Sequence, residues 1–321
     1  MKKLMLLGGL GLAYLGGYAQ APSSIPVSPT IQLSDTARVF GQGVISNGDF
    51  VYDAAFTPDN KTVFFNIATI GFAYSAILYS TKIADKWSKP QAVSFTGIYR
   101  DNDPFISADG KRLYFSSDRP LPGKPFVDEQ LTYFYVELQG NKIVSEPVPF
   151  NLPLPNGQSP SYLSFANNGN AYFFLREGRD ADIYMCEFKN GQYLPPVSLP
   201  FNSKDFYDID PMIARDESFI VFLSVNRKGY GRNDIWVSFK NGQNWSEPVN
   251  MGNKVNSSAQ EGFPYLSNDG KTLYFDSVRE KADRPKSKLT TKAIMDLMHS
   301  TKNEMRHIYE ISIADLKPPA N

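Results

Sequence analysis

Short aromatic and β-branched runs recur along this chain, set off by tight-turn dipeptides. Leu113-Tyr114-Phe115 and Asp234-Ile235-Trp236-Val237 are typical. Such runs suit a pleated, half-buried strand. The dipeptides between them are Asp-Gly and Asn-Gly, in which glycine supplies the positive φ of a hairpin turn. The pattern predicts strand, turn, strand over most of the length.

The runs also repeat. Phe-Thr-Pro-Asp-Asn-Lys-Thr-Val-Phe-Phe from Phe56 aligns with Ile-Ser-Ala-Asp-Gly-Lys-Arg-Leu-Tyr-Phe from Ile106, and with Leu-Ser-Asn-Asp-Gly-Lys-Thr-Leu-Tyr-Phe from Leu266. Weaker copies begin at Phe165 and Ile213. The turn anchors Asp59, Asp109, Asn167, Asp216 and Asp269 are 50, 58, 49 and 53 residues apart. Pro90, Pro147, Pro196 and Pro248 mark a second position in the first four units, with Trp87 and Trp245 three residues ahead of two of them. Each unit reads as four short strands, and about 50 residues per four-stranded unit is the period of a β-propeller blade.

The strand count predicts how the ring closes. The last unit supplies Tyr265-Leu266, a run at 272–275 and a run at 307–313, and then lacks a fourth strand. The segment Asp35-Thr36-Ala37-Arg38-Val39-Phe40 resembles the missing strand. Arg38 falls in the proline position, 52 residues before Pro90. Pairing the chain ends removes an open sheet edge, the usual hazard of β-sheets. The expectation is an all-β fold: one β-propeller over residues 35–317, with five four-stranded blades closed by an N-terminal strand. The alternative of six blades needs a further unit that the sequence does not supply.

Composition narrows the setting. The 321 residues carry 33 Lys and Arg against 33 Asp and Glu, so the electrostatic footprint of a nucleic-acid binder is missing. One cysteine, Cys186, excludes an internal disulfide and a cysteine-rich zinc site. It lies in a strand-like run and reads as a buried small hydrophobe. Residues 1–19 read as a signal peptide: Lys2 and Lys3, an apolar stretch from Leu4 to Gly16, then small residues at Gly17 and Ala19. That stretch is shorter than the roughly 20 residues of a membrane span. Residues 20–34, rich in Pro and Ser, read as a flexible leader. Without Lys2 and Lys3 the chain has 31 basic and 33 acidic residues, a net charge of −2. The expected product is a monomer in the periplasm or secreted, with no transmembrane segment in the mature chain.

The motif Asp-x-x-Pro/Phe-x-x-Asp-Gly-Lys-x-Leu-Tyr-Phe-x-Ser, followed by Asp-Ile-Tyr or Asp-Ile-Trp, resembles the TolB-like β-propeller repeat of bacterial envelope proteins. Residues 103–118 and 210–237 carry it best, the latter with the hairpin Arg227-Lys-Gly-Tyr-Gly-Arg-Asn-Asp-Ile. The resemblance covers residues 35–317 and implies a propeller without the additional α/β domain of TolB itself. It also implies binding through one face of the ring.

Antiparallel order places the loops between strands 2 and 3 of each blade, and those from strand 4 to the next strand 1, at one end of the ring. Two of these loops are long: 119–130 in blade 2, and an insertion at 279–306 in the last blade. In the insertion Thr291 would cap a helix with Ala293, Ile294, Leu297 and Met298 on one side. The insertion holds eight basic and four acidic residues. It is either a solvated helix docked on a blade edge or a lid and docking element.

Candidate ligand-binding residues gather at the same end. Asp101, Asp103, Asp208, Asp210 and Glu261 sit at the start of strand 1 of their blades, joined by Asp53. Tyr99, Phe206 and Tyr207 precede them, and Arg100, Arg119, Arg227 and Arg279 come from adjoining loops. Carboxyl groups beside aromatic rings suit a sugar, and guanidinium groups suit a carboxylate or phosphate. The competing role is structural, with these acids bonding loops between blades.

Two functions remain. The first is a non-catalytic envelope module that binds a protein or glycan partner, with no cofactor and no metal. His299 and His307, the only histidines, lack metal-ligand spacing, and no serine elbow or phosphate loop is present. The second is a glycoside hydrolase using Asp53, Asp103 and Asp210, which occupy equivalent positions on blades 1, 2 and 4. Its carboxyl groups would stand about 5–5.5 Å apart for retention or about 6.5–9.5 Å apart for inversion.

Overall fold

The computed structural model describes residues 29–127, 130–155, 158, 160–177 and 180–319. The signal-like residues 1–19 lie outside the described residues, as do 20–28 of the leader.

Among the described residues the strands form a five-bladed propeller of four-stranded antiparallel sheets. From the axis outward, blade 1 is Val51–Phe56, Thr62–Ala68, Ser75–Ile83 and Gln91–Ala92. Blade 2 is Asp101–Ile106, Arg112–Ser117, Thr132–Gln139 and Val148–Phe150. Pro160–Phe165, Ala171–Glu177, Asp180–Cys186 and Val197–Ser198 make blade 3. Tyr207–Ile213, Phe219–Val225, Asn233–Asn241 and Val249–Asn250 make blade 4.

Blade 5 is Glu261–Leu266, Thr272–Ser277 and His307–Ser312, completed by Arg38–Val39 from the other end of the chain. Arg38 pairs with Glu310 and Val39 with Tyr309. The register differs by one residue from the sequence expectation. Arg38 stands where Gln91 stands in blade 1, opposite the matching residue of strand 3, so Ala37 takes the proline position. The four anchor prolines each directly precede or closely flank an outer strand. That position suits a residue without an N–H to donate.

The innermost strands are buried along most of their length, since each packs between neighbouring blades as well as against its own. One core cluster runs through all the blades, from Phe40 and Phe56 through Phe105, Phe165 and Val221 to Tyr265 and Ile311. Cys186 belongs to it, and burial pushes its thiol up to about 12. Ile31 and Leu33 of the leader are also buried, with Ile31 N–H donating to Asn250 O. Thr30 and Ile31 are therefore held against blade 4, and Ser34 N donates to Asp315 Oδ2. The alternation of apolar Ile31 and Leu33 around Gln32 is the signal for this.

Aspartate side chains close the turns between strands 1 and 2 in four of the blades. Asp59 Oδ1 accepts from Thr57 Oγ1 and Lys61 N, and Asp109 and Asp269 repeat the pattern. In blade 3 Asn168 Oδ1 accepts from Asn170 N, so the anchor there is Asn168 and not Asn167. In the blade 4 hairpin, Asp234 accepts from the backbone N–H groups of Tyr230 and Gly231. A Cβ on Gly229 would lie 1.8 Å from Asp234 Oδ2, so only glycine fits.

The insertion between Ser277 and His307 contains the helix Thr291–Met298. Its N-cap is Thr290, whose hydroxyl accepts from Ala293 N, one residue earlier than the sequence suggests. No helix among the described residues is long and apolar enough to cross a membrane.

Candidate functional site

Each innermost strand contains the same irregularity. The ladder to strand 2 slips after the second paired residue in four blades and after the third in blade 4. At the slip sits a residue with positive φ: Asp53 (54°), Asp103 (54°), Tyr162 (55°), Asp210 (53°) and Phe263 (46°). A bulge of this kind re-aims the side chain at the bulged position. Aspartate tolerates the left-handed region better than aromatic residues do, which accounts for three of the five. Tyr162 and Phe263 hold the strained geometry through packing, with ring centroids 6.2 Å apart and Phe263 4.6 Å from Tyr52.

The three bulge carboxyl groups are buried near the axis and act on one another. Burial pushes Asp53 and Asp210 well above the usual carboxylate range, and the charge of Asp103 adds to both shifts. Asp103 is raised by burial, against the opposing hydrogen bond from Ser116 Oγ at 2.6 Å. Asp103 Oδ2 also accepts from Tyr162 N at 3.3 Å. Oδ2 of Asp53 and Oδ2 of Asp210 are buried without a hydrogen-bond partner. Burial disfavours the ionised form of all three groups.

A cavity of about 320 Å³ opens above them, at the end carrying the 2–3 loops. Asp103 and Asp210 line its floor with Asn102, whose Oδ1 accepts from Tyr52 Oη at 2.8 Å. Phe72, Phe174 and Phe263 give it apolar walls, and Arg100, Arg176 and Arg306 give it cationic ones. Arg306 forms a buried ion pair with Asp276, and Arg100 pairs with Asp118 at 2.8 Å. Arg176 is exposed, lies over the ring of Phe174 at 5.5 Å, and has no ion-pair partner among the described residues.

Of the ten residues expected from sequence, Arg100, Asp103 and Asp210 meet at this cavity. Six others form three copies of one buried clamp. Asp101 pairs with Arg119 at 2.7 Å, Asp208 with Arg227 at 2.7 Å and Glu261 with Arg279 at 3.1 Å. Each arginine also donates to a backbone carbonyl of the incoming 4–1 connection: Phe95, Phe201 and Val255. Each is flanked by aromatic faces, such as Phe206 at 4.0 Å from Arg227. These clamps tie loops to the sheet and stand apart from the cavity wall. Tyr207 is the first residue of its strand, paired with Val225, and is half-buried outside the cavity lining.

The sequence pattern pointed to Asp53 but passed over Tyr162, Phe263, Arg176 and Arg306. Tyr162 and Phe263 carried a signal in register, since both stand at the repeat position of Asp103. Arg176 and Arg306 had none, because Arg176 is near the end of strand 2 of blade 3, where the other blades carry no arginine, and Arg306 closes the insertion of blade 5.

The raised carboxyl groups give stability a sign against pH. Their folded values exceed the unfolded ones, so the folded state holds more protons. This contribution is fully present below the ordinary carboxylate range and is lost as pH rises through the folded values. Asp210→Asn is expected to remove part of that slope and to stabilise the fold by about 1–3 kcal/mol on the alkaline side. Urea unfolding at acid and alkaline pH checks this, and an unchanged slope contradicts it. His307 acts in the opposite sense. Burial lowers it to about 4, so its contribution is lost as pH falls from the ordinary histidine range toward that value.

Among the described residues no group of three or more His, Cys, Asp or Glu is arranged to hold a metal ion. No family model matches the chain, and no curated protein matches it. Similar solved structures include a protein from Agrobacterium tumefaciens assigned as TolB, with 17% identity and a TM-score of 0.46, covering 76% of this chain and 77% of that one. TolB from Acinetobacter baumannii matches at 14% identity and a TM-score of 0.46, over 82% of this chain and 54% of its own. A gluconolactonase from Xanthomonas campestris matches at 11% identity and a TM-score of 0.42, over 90% of this chain and 99% of its own.

Proposed function

We propose that this chain is an exported, non-catalytic binding propeller of the cell envelope whose axial cavity takes a saccharide bearing a carboxylate or phosphate. The observation that carries the reading is Arg176, a guanidinium on the cavity wall with no ion-pair partner among the described residues. Beneath it, the carboxyl groups of Asp103 and Asp210 supply hydrogen-bonding partners for hydroxyls. The rings of Phe72, Phe174 and Phe263 offer apolar faces to the sugar ring. The basic-apolar start of the sequence supports export.

A glycoside hydrolase is the competing reading. Hydrolysis by two carboxyl groups needs one protonated and one ionised at working pH. Here Asp53, Asp103 and Asp210 are all shifted upward by burial. A glycan array followed by calorimetry tests the binding proposal. The expected result is binding of acidic saccharides, with Arg176→Gln weakening it roughly tenfold to a hundredfold, as loss of a charged hydrogen bond would. Equal affinity of the variant, or no acidic ligand on the array, would sink it. Turnover of an aryl glycoside that disappears in Asp103→Asn would establish the hydrolase instead.

A further inference from the structure

The end of the ring that carries the cavity mouth also leaves large apolar side chains in water. Ile70 lies in the 2–3 loop of blade 1, Ile98 in the connection from blade 1 to blade 2, and Phe126 in the 2–3 loop of blade 2. Ile294, Met295 and Met298 lie on the insertion helix. Their exposure runs from 43% for Ile294 to 81% for Ile98. The helix has no fully buried residue. Ala293 and Leu297 are half-buried, while its other apolar residues face solvent.

Charge is concentrated beside them. Residues 281–292 hold Lys281, Arg284, Lys286, Lys288 and Lys292 against Asp283 alone, and all six are exposed. The opposite end of the ring is mixed in sign, because its turns place Lys61, Lys111 and Lys271 two residues after Asp59, Asp109 and Asp269. The neutral total therefore conceals a basic insertion beside apolar projections.

We infer that this face docks on an anionic lipid bilayer. The apolar side chains stand on separate loops from three blades, so each can enter the headgroup layer without a shared groove. Lysines around them would meet lipid phosphates, the combination that holds amphipathic elements at an interface. A protein partner fits less well, since interface cores are contiguous and depleted of lysine. This inference does not rest on saccharide binding, because the vesicles that test it carry no sugar.

The test is vesicle co-sedimentation of the chain from residue 20, which keeps every strand of the closed ring. Vesicles of phosphatidylglycerol with phosphatidylcholine are compared with phosphatidylcholine alone. The expected preference for the anionic vesicles is at least about tenfold, weakening in high salt as screening shortens its range. Lys286→Glu with Lys288→Glu is expected to weaken binding at least about tenfold, each lysine being worth roughly fivefold near such a surface. Met295→Asp with Met298→Asp should weaken it as well, while Ile83→Asp at the other end should not. Equal sedimentation with both vesicle types, no sedimentation, or full binding by the charge-reversed variant would overturn the inference. Thermal melts of the exposed-site variants, expected to match the parent, show that each is folded.

Discussion

A Phe40→Ala variant is expected to lose about 3–5 kcal/mol of unfolding free energy, the cost of truncating a buried phenylalanine. Phe40 directly follows the strand that completes blade 5, and its N–H donates to Ile308 O at 2.8 Å. Its ring meets Tyr274 of blade 5 at 5.3 Å, and Phe56 and Trp87 of blade 1 at 5.5 and 5.6 Å. One side chain thus joins the first and last blades. Losing it weakens the seam of the ring as well as leaving a cavity, so the unpaired edge of His307–Ser312 should open more often. Urea titration gives the free energy, and hydrogen exchange in that strand reports the opening. A loss below about 1 kcal/mol would mean that closure depends on the backbone ladder alone.

Arg227→Ala is the second large effect, with an expected loss of about 3–5 kcal/mol, because it strands a buried carboxylate. Arg227 holds Asp208 through two hydrogen bonds, at 2.7 and 3.2 Å, and donates to Phe201 O at 3.1 Å. The side chains are 9% and 1% exposed. The double substitution Arg227→Met with Asp208→Leu is expected to recover much of the loss, since a buried pair is often replaceable by apolar groups. Chemical unfolding of the three proteins checks both parts. If Arg227→Ala instead leaves stability unchanged but abolishes saccharide binding, the clamp is a ligand site and the structural assignment is mistaken.

The contrast between these clamps and the bulges explains how far the sequence could be followed. Asp101 and Asp103 are two residues apart and look alike in the repeat. On a regular strand they would point to the same face. The bulge at Asp103 breaks that parity, turning it toward the axis while Asp101 joins Arg119. Nothing in composition distinguishes the two acids. The difference is a backbone angle, visible only when the ladder to strand 2 is traced.

The period of the repeat, the four strands per unit and the closing segment near Arg38 were legible because each is local. Turn residues, aromatic alternation and spacing carry that information residue by residue. Small displacements, at Asn168, Thr290 and Ala37, arose where a weak copy or a neighbouring residue of the same type offered an equal match. The cavity belongs to the other class. Asp103, Arg176, Asp210, Phe263 and Arg306 come from four blades and meet only because the ring closes. Asp103, Asp210 and Phe263 share one repeat position, whereas Arg176 and Arg306 have no counterpart in the other blades. The sequence by itself determined a closed propeller of five units, since a local pattern repeated about every 50 residues has few ways to bury its sheet faces. Only the tertiary structure decided which charges became clamps and which became the floor of a cavity. That choice depends on burial and on contacts between blades far apart in the chain.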